Sequence, residues 1–530
     1  MSEPGKVTYT TISGSEETHA AFEAAAAAVE GRFGELCANS IGGGPSPEGR
    51  ERELRSPVDT RVVVGRAQRA TAAEAARAVE LAHAAFPAWR GLGWQRRVAI
   101  LRAAAESIGE RTYELAALMA WEVGKNRLEA LGEVAETADL LRYYAGLLEE
   151  NAGYARPLAR LQPHESTESV LLPYGVFGVV SPFNFPLALA GGMVGAALVA
   201  GNTVVFKPSS QAPFSGAALC RALWEGGVPA DVLHLVAGDG EEVGRVLREH
   251  PRVGGLAFTG SSDVGLALHR EGSRPWPRPV VVEMGGKNPA IVTARADLDA
   301  AAEGVARSAF GYGGQKCSAC SRVYVEQAVE GAFLERLVER TAALVVGNPL
   351  RRETFLGPLI DAAAVGKHER AVERVRAADG EVLTGGGARR DGDLAHGHYV
   401  EPTVARLADP AHALYAEELF VPLLLVCPVA DLGEALRRAN DVPYGLTAGI
   451  FSADPAEVRT FLDGIEAGVL YVNRRAGATT GAWPGVNPFG GWKASGSTGP
   501  AALGPYYLLK FLREQSRTVS GLAPEARPEQ

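Results

Sequence analysis

Cysteine is scarce in this chain of 530 residues: there are 5, and only Cys317 and Cys320 lie close together. So sparse a set is not a disulfide framework, and it fits a reducing compartment, which points to the cytoplasm. Excess positive charge is missing too. Asp and Glu number 62 against 53 Lys and Arg, a formal net charge of −9. Nucleic acids and anionic membranes recruit basic patches, so neither is expected as a partner. The same balance still permits a local cationic pocket for an anionic substrate. The N-terminus, MSEPGKVTYTTISGSEE, lacks the basic-then-apolar order of a secretory signal.

One stretch without charge stands out. Residues 175–206 carry no ionised side chain, a length that would suit a membrane span. Pro182, Pro186, Asn184, Asn202 and glycines at 191, 192, 195 and 201 interrupt it. The pattern predicts a strand over Val176–Val180, a loop over Ser181–Pro186, a buried helix over Leu187–Ala200 and a strand over Thr203–Phe206. That is a soluble core. With 46% hydrophobic and 22% charged residues the chain is not disordered, and its length exceeds one core.

What is present is an alternating order. Residues 18–37 read as an alanine-rich helix, followed by a loop at 41–48. Helical periodicity recurs at 72–89, 94–123 and 127–151. From about 170 to 285, short apolar strands (VFGVV, NTVVFK, VLHLVAG, GLAFTG, PVVVEMG) alternate with helical stretches, which implies βαβ units and a parallel sheet. A second series runs from about 289 to 470. It comprises NPAIV, a helix at 297–310, SRVYVE, a helix at 329–345 and strands near 382, 399 and 424. Residues 154–172 and 503–519 flank both series and belong to neither.

Two words carry chemistry. Cys317 sits among small residues (Gly313, Gly314, Ser318, Ala319), where a substrate carbon can approach closely. A free thiol of pKa roughly 8.5 is a few per cent thiolate near neutrality, and a cation such as Lys316 can raise that share. Glu283, ahead of Gly285 and Gly286, is placed to deprotonate water. By themselves these residues fit a buried inert thiol and a surface glutamate equally well. The pair Cys317 and Cys320 also has Cys-x-x-Cys spacing, but no thioredoxin-like context surrounds it, so Cys320 reads as a packing residue behind the nucleophile.

SPFNFP (181–186), FKPSS (206–210), FTGSSDVG (258–265), EMGGKNP (283–289), GQKCSACSR (314–322), EELFVP (417–422) and NPFGGWKASG (487–496) occur in the order and spacing of the aldehyde dehydrogenase superfamily, which the chain resembles from about residue 45 to about 515. The resemblance implies an α/β fold with a Rossmann-type cofactor domain, an α/β catalytic domain and a β oligomerisation flap. On that frame, 1–45 is an N-terminal helical extension, and 46–153 with 173–288 forms the NAD(P)-binding domain. Residues 154–172 with 497–530 form the bridging flap, and 289–496 the catalytic domain. A homodimer or higher homo-oligomer is implied, because the flap presents strand edges.

The resemblance also assigns roles. Cys317 would attack the aldehyde, Asn184 and the Cys317 backbone N–H would hold the oxyanion, and Glu283 would activate the hydrolytic water. The cofactor is NAD, held by Ser181, Pro182, Phe183, Lys207, Ser209, Ser210, Gly260, Ser261, Gly285, Glu418 and Phe420. Lys207 would bond the adenosine ribose, and the backbone N–H groups at Gly260 and Ser261 would meet the pyrophosphate. Glu418 would take the nicotinamide ribose. No metal is implied. GDGEEVG (238–244) reads as a turn beside the adenine pocket. Two positions depart from the superfamily's pattern. Ser210 replaces a glutamate that repels a 2′-phosphate, so NADP is not excluded, and Val421 replaces a glycine.

Within the superfamily, QKCSACSR (315–322), TTGAWPGVNPFGGWKASG (479–496) and GPYYL (504–508) resemble the L-glutamate γ-semialdehyde, or 1-pyrroline-5-carboxylate, dehydrogenase branch. Gly481 and Ala482 match that branch's carboxylate anchor, Lys316 and Ser318 match residues meeting the same carboxylate, and Phe185 and Phe489 match aromatic walls. The loop 473–482 is longer than the branch usually has. Other readings stay open: another small or acidic aldehyde, a CoA-acylating dehydrogenase, or a non-catalytic protein on this fold.

Overall fold

Where the sequence alternates strand and helix, two parallel sheets form, and the turn between them carries the site. The structure is a computed structural model that describes residues 7–9, 11, 14–46, 50–273 and 276–521. In the first sheet the strands lie in the order Val280–Glu283, Val253–Thr259, Val176–Val180, Thr203–Lys207, Leu233–Leu235, all parallel. Their residues are buried almost throughout, as expected where helices cover both faces. Two short antiparallel strands, Ser40–Ile41 and Gly44–Pro45, extend one edge. Val176–Val180 takes Thr203–Lys207 on one side and Val253–Thr259 on the other, so chain direction across the sheet reverses there. Such a switch point opens a crevice at the carboxyl ends of the strands. The register sets Val180 beside Lys207 and Phe258, and Thr259 beside Glu283.

The second sheet has the order Glu381–Thr384, Thr403–Arg406, Leu423–Val429, Cys320–Glu326, Asn288–Val292, Thr447–Phe451, Val469–Val472, parallel apart from the first pair. Only residues 284–287 separate it from the last strand of the first sheet. A third, antiparallel sheet joins Ala155–Leu158, Glu165–Pro173 and Leu512–Ser520. The tail strand is thus paired along its whole length with a segment far upstream.

The uncharged stretch is explained by packing. Helix Ala188–Ala200 is buried on every side and lies against helix Arg127–Glu150. A Cβ added at Gly195 would come within 2.4 Å of Leu141, and one at Gly191 within 2.8 Å of Thr137. Those glycines let two helices approach more closely than side chains would allow. No described helix is long and apolar enough to cross a membrane.

Several expected elements differ. The first helix spans Glu16–Glu30 and stops at Gly31, after which Gly34 turns the chain with φ +86°. The expected loop at 41–48 is a hairpin about Gly42 and Gly43 as far as residue 45, and positions 47 and 48 lie outside the described residues. The helix expected over 94–123 is two, Trp94–Glu110 and Thr112–Val123. Thr112 Oγ1 donates to the Gly109 carbonyl at 2.7 Å and satisfies an acceptor at the break. The strand expected near 399 forms at Thr403–Arg406, just past Pro402, which has no N–H for a ladder.

Candidate active site

The site begins with a strained turn. Tyr312, Gly313 and Gly314 all have positive φ (50°, 63° and 68°), a run that only glycine adopts freely. It reverses the chain after helix Leu298–Phe310 and delivers Cys317 to the head of strand Cys320–Glu326. Gln315 fixes the turn. Its side-chain amide donates to Tyr312 O and Pro358 O, and its carbonyl oxygen accepts from Ile360 N at 2.8 Å. Asn184 Nδ2 donates to the Gln315 backbone carbonyl at 2.9 Å, which ties the SPFNFP loop to the turn that carries Cys317.

Asn288 grips the Cys317 turn from the neighbouring strand of the same sheet. Its amide donates to Cys317 O at 2.7 Å and Ala319 O at 2.9 Å, and its side-chain oxygen accepts from Thr447 N at 3.0 Å. Thr479 Oγ1 donates to Ser318 O at 2.7 Å. A Cβ at Gly286 would stand 2.5 Å from Cys317 O, so the glycine permits the close approach of the crossing and the Cys317 backbone. Cys320 is a buried free thiol within the apolar cluster behind Cys317.

Burial, with the Glu418 and Glu283 carboxylates, pushes the partly exposed Cys317 thiol up to about 12. The expectation that Lys316 enriches the thiolate needs correction. Its ammonium is buried and paired with Glu129 at 2.7 Å, so its charge is spent across helix Arg127–Glu150. Glu283 is itself lifted to about 7 by burial, against the pull of Lys510 and the Gly491 N–H, which donates to Oε2 at 3.4 Å. A carboxyl that titrates near neutrality is suited to take a proton and return it. Gly490 and Gly496 leave room for it: a Cβ at Gly496 would lie 3.2 Å from Glu283 Oε2.

At the switch point, Ser181 Oγ is buried with no hydrogen-bond partner among the described residues, an orphan hydroxyl in the crevice. Lys207 Nζ is buried, lowered to about 8 by desolvation, and donates to Pro208 O at 3.2 Å. An ammonium carries three N–H donors, so others are left for a ligand. Ser209 Oγ accepts from Gln211 N at 3.2 Å, and Ser210 is exposed. Ser261 caps helix Ser262–Glu271 without spending its hydroxyl on the helix. The Gly260 N–H, expected to meet a pyrophosphate, is corrected: it donates to Glu283 O at 3.1 Å, so the donors begin at Ser261. Glu418 lies over the crossing, accepting from Gly286 N at 2.8 Å, and a Cβ at Gly285 would be 2.1 Å from its carboxylate. Phe420, at φ 59°, sets its ring edge-on to Phe183 at 6.0 Å, and Pro182 lies between Ser181 and Phe183 in the same loop. A buried orphan hydroxyl, a desolvated lysine and a helix N-terminus at a switch point fit a dinucleotide. The turn expected over 238–244 is instead helical from Gly240 to Gly244 and runs into helix Arg245–Glu249, and Glu242 there accepts the Ala72 N–H at the start of helix Ala72–Gly91.

The opposite side is charged. Lys125 and Glu133 form a fully buried ion pair, and Lys125 Nζ lies 3.6 Å from the Phe185 ring centroid. Glu133 Oε1 accepts from Leu187 N at 2.8 Å and Ala188 N at 3.1 Å, which pins the far end of the loop bearing Asn184. Glu136, raised to about 8 by burial, accepts the Tyr9 hydroxyl. Glu129, Glu133 and Glu136 thus share one face of one helix. At the anchor, Gly481 has φ 91°, and Arg474 donates to Thr480 O at 2.6 Å and Gly481 O at 2.8 Å. The long loop before it is braced: Ala478 N donates to Gly304 O and Thr479 N to Ser308 Oγ. Ala482 is buried, Trp483 Nε1 donates to Asp139 at 2.9 Å, and Phe489 packs on the first core while its N–H donates to Ala502 O.

Tyr9, Lys125, Glu129, Glu133, Glu136, Asn288, Arg474 and Lys510 were not singled out from the sequence. A signal existed for three of them, because the glutamates at 129, 133 and 136 recur at helical spacing.

A thiol held between a switch-point crevice and a buried base is the layout of an oxidoreductase that passes its substrate through a covalent sulfur adduct. The chain belongs to the aldehyde dehydrogenase family, whose sequence model matches residues 45–516. It is 37% identical over 511 residues to a 1-pyrroline-5-carboxylate dehydrogenase of Geobacillus sp. (strain WCH70), covering 95% of this chain and 96% of that protein. Its fold superimposes with a TM-score of 0.92 on a 1-pyrroline-5-carboxylate dehydrogenase from Thermus with bound NAD, at 36% identity, over 98% of this chain and all of that one. Proline utilization A of Bdellovibrio bacteriovorus matches with a TM-score of 0.91 at 32% identity, over 100% of this chain and 55% of that larger chain.

Proposed function

We propose that this chain is an NAD-dependent dehydrogenase that oxidises L-glutamate γ-semialdehyde, formed from 1-pyrroline-5-carboxylate, to L-glutamate in proline catabolism. The observation that carries this reading is the meeting of Cys317 and Glu283 across the 284–287 crossing, in a chain alike over its length to proteins of that activity.

The steps follow from the residues. The Cys317 thiol gives up its proton, for which Glu283 is the base tuned near neutrality, and sulfur bonds the aldehyde carbon. The resulting oxyanion takes hydrogen bonds from the Asn184 amide and the Cys317 N–H; loss of one such donor typically costs about 10²–10³ in rate. NAD, when bound, accepts the hydride that this carbon releases. A thioester then remains on Cys317. Glu283, once it has passed the thiol's proton to solvent, takes a proton from water, and the hydroxide attacks the thioester carbon. The C–S bond breaks to release glutamate while the departing sulfur takes that proton back from Glu283.

Lys207, Ser181, Ser209, Ser261, Glu418 and Phe420 hold the dinucleotide, and exposed Ser210 leaves a 2′-phosphate unopposed. The Gly481 and Ala482 N–H groups, with Ser318, take the substrate's α-carboxylate, while Phe185 and Phe489 flank its chain; Lys316, held by Glu129, is not free to join them. A charge-assisted contact of this kind contributes about 1.5–3 kcal/mol. The enzyme works in the cytoplasm as a homo-oligomer joined through the antiparallel flap, where Leu158 and Leu161 are exposed. The test compares kcat/KM on glutamate semialdehyde with that on propanal and hexanal. A preference of about tenfold or more is expected from the carboxylate contact; equal values would remove the substrate and leave an unspecialised aldehyde dehydrogenase.

A further inference from the structure

We infer that Tyr9 builds the end wall of the aldehyde pocket and is the specificity-determining residue setting how long a chain fits. This rests on the proposed position of the substrate between Cys317 and the Gly481–Ala482 anchor.

Tyr9 is far in sequence from everything it touches. Its ring stands edge-on to Phe185, with centroids 5.9 Å apart and planes at 82°, and edge-on to Trp483 at 5.7 Å and 65°. Lys316 Nζ lies 5.7 Å from the ring centroid. These neighbours are an aromatic wall, the residue after the anchor's Ala482, and the residue before the nucleophile. No other side chain in the first 45 residues is placed by the described contacts against that set.

The ring is held rather than merely present. Its hydroxyl donates to Glu136, on the helix face that also carries Glu129 and Glu133. Thr8 and Thr11 close a turn around it, with Thr11 N donating to Thr8 O at 3.0 Å and Thr8 N to Thr11 Oγ1 at 2.9 Å. Gly132 supplies the space, since a Cβ there would sit 3.3 Å from the Tyr9 ring. A ring fixed at both ends gives a pocket of set depth. An aldehyde longer than that depth meets carbon instead of space, and binding falls for each added methylene. Removing the ring opens the end of the pocket, and the penalty on long chains disappears. A strut role would behave differently, lowering turnover of all aldehydes alike.

The experiment measures kcat/KM for propanal, pentanal and hexanal with NAD, for the full-length protein and its Tyr9→Ala and Tyr9→Phe variants. Tyr9→Ala is expected to raise the hexanal-to-propanal ratio about tenfold, carried by KM, the size of discrimination that a methylene-scale pocket provides. Tyr9→Phe keeps the ring and is expected to hold the wild-type ratio. A ratio unchanged in Tyr9→Ala, or equal losses on every aldehyde, would overturn the inference. Should Tyr9→Ala not fold, Tyr9→Leu with the same series replaces it, and alkylation of Cys317 by iodoacetamide and its N-hexyl homologue reads pocket depth without turnover. There, a selective gain for the hexyl reagent supports the wall and parallel rates refute it. Because the series uses unsubstituted aldehydes, it stands or falls apart from the preference for glutamate semialdehyde.

Discussion

The two sides of the Cys317 cleft are built from different forces. The nucleophile's corner is assembled almost wholly from neutral hydrogen bonds onto backbone: Asn288 on Cys317 O and Ala319 O, Thr479 on Ser318 O, Asn184 on Gln315 O. The facing helix, Arg127–Glu150, instead buries charge in pairs, Lys125 with Glu133 and Lys316 with Glu129. Neutral contacts fix the backbone around the thiol and leave its ionisation to burial and, after it, to the Glu418 and Glu283 carboxylates nearby. Buried pairs hold side chains by attraction that exists only while both partners are present. Damage to the first side should therefore appear mainly in turnover, and damage to the second mainly in stability and binding.

The largest effect expected is at the sulfur. Cys317→Ala should reduce aldehyde-driven formation of reduced nicotinamide by about 10⁴-fold or more, with an unchanged melting curve, because no other group can carry the covalent step. Residual turnover near the wild-type level would end the covalent mechanism.

Next is the charged side. Lys125→Met should lower unfolding free energy by about 3–5 kcal/mol, since it strands Glu133 in the interior. Denaturant titration would show it, and Lys125→Met combined with Glu133→Gln should recover much of the loss. If the single variant melts like wild type, the division drawn between the two sides does not hold.

Asn288→Ala sharpens the same contrast. Two buried carbonyls lose their donor, each worth about 1–3 kcal/mol, and the nucleophile's backbone is released. A fall in kcat with little change in KM for NAD is expected from steady-state kinetics, and the reverse split would place Asn288 outside the nucleophile's support.

The smallest effect is the dependence on pH. Glu283 is raised to about 7, and only its ionised form accepts a proton from water, so thioester hydrolysis should rise with pH through about 7 and level above it. Glu283→Gln should remove that limb from a pH–rate profile. Below pH 6 the neutral carboxyl dominates and the rate should fall about tenfold per pH unit.

The contrast also explains what could be read before folding. Cys317, Glu283 and Asn184 could be singled out as candidates because each sits in a short word whose glycines and prolines serve close backbone approach, and such requirements are local. The Lys316 expectation failed for the opposite reason. A lysine beside a cysteine in sequence says nothing about which carboxylate will claim it, and its partner Glu129 lies on a distant helix. Gly260 shows the same limit, since its N–H was taken by Glu283 O on the neighbouring strand. Tyr9 was invisible because a lone tyrosine in an irregular segment carries no periodicity.

By itself the amino-acid order determined the alternation of strands and helices, the uncharged helix needed at the centre, and the local turns that present a thiol and a carboxyl. Those follow from side-chain size and backbone freedom within a few residues. Only the tertiary structure decided which charges neutralise one another, which carboxyls titrate near neutrality, and which distant ring closes the pocket. Electrostatic energy depends on burial and on separation through space, and neither exists until the sheets and helices have packed.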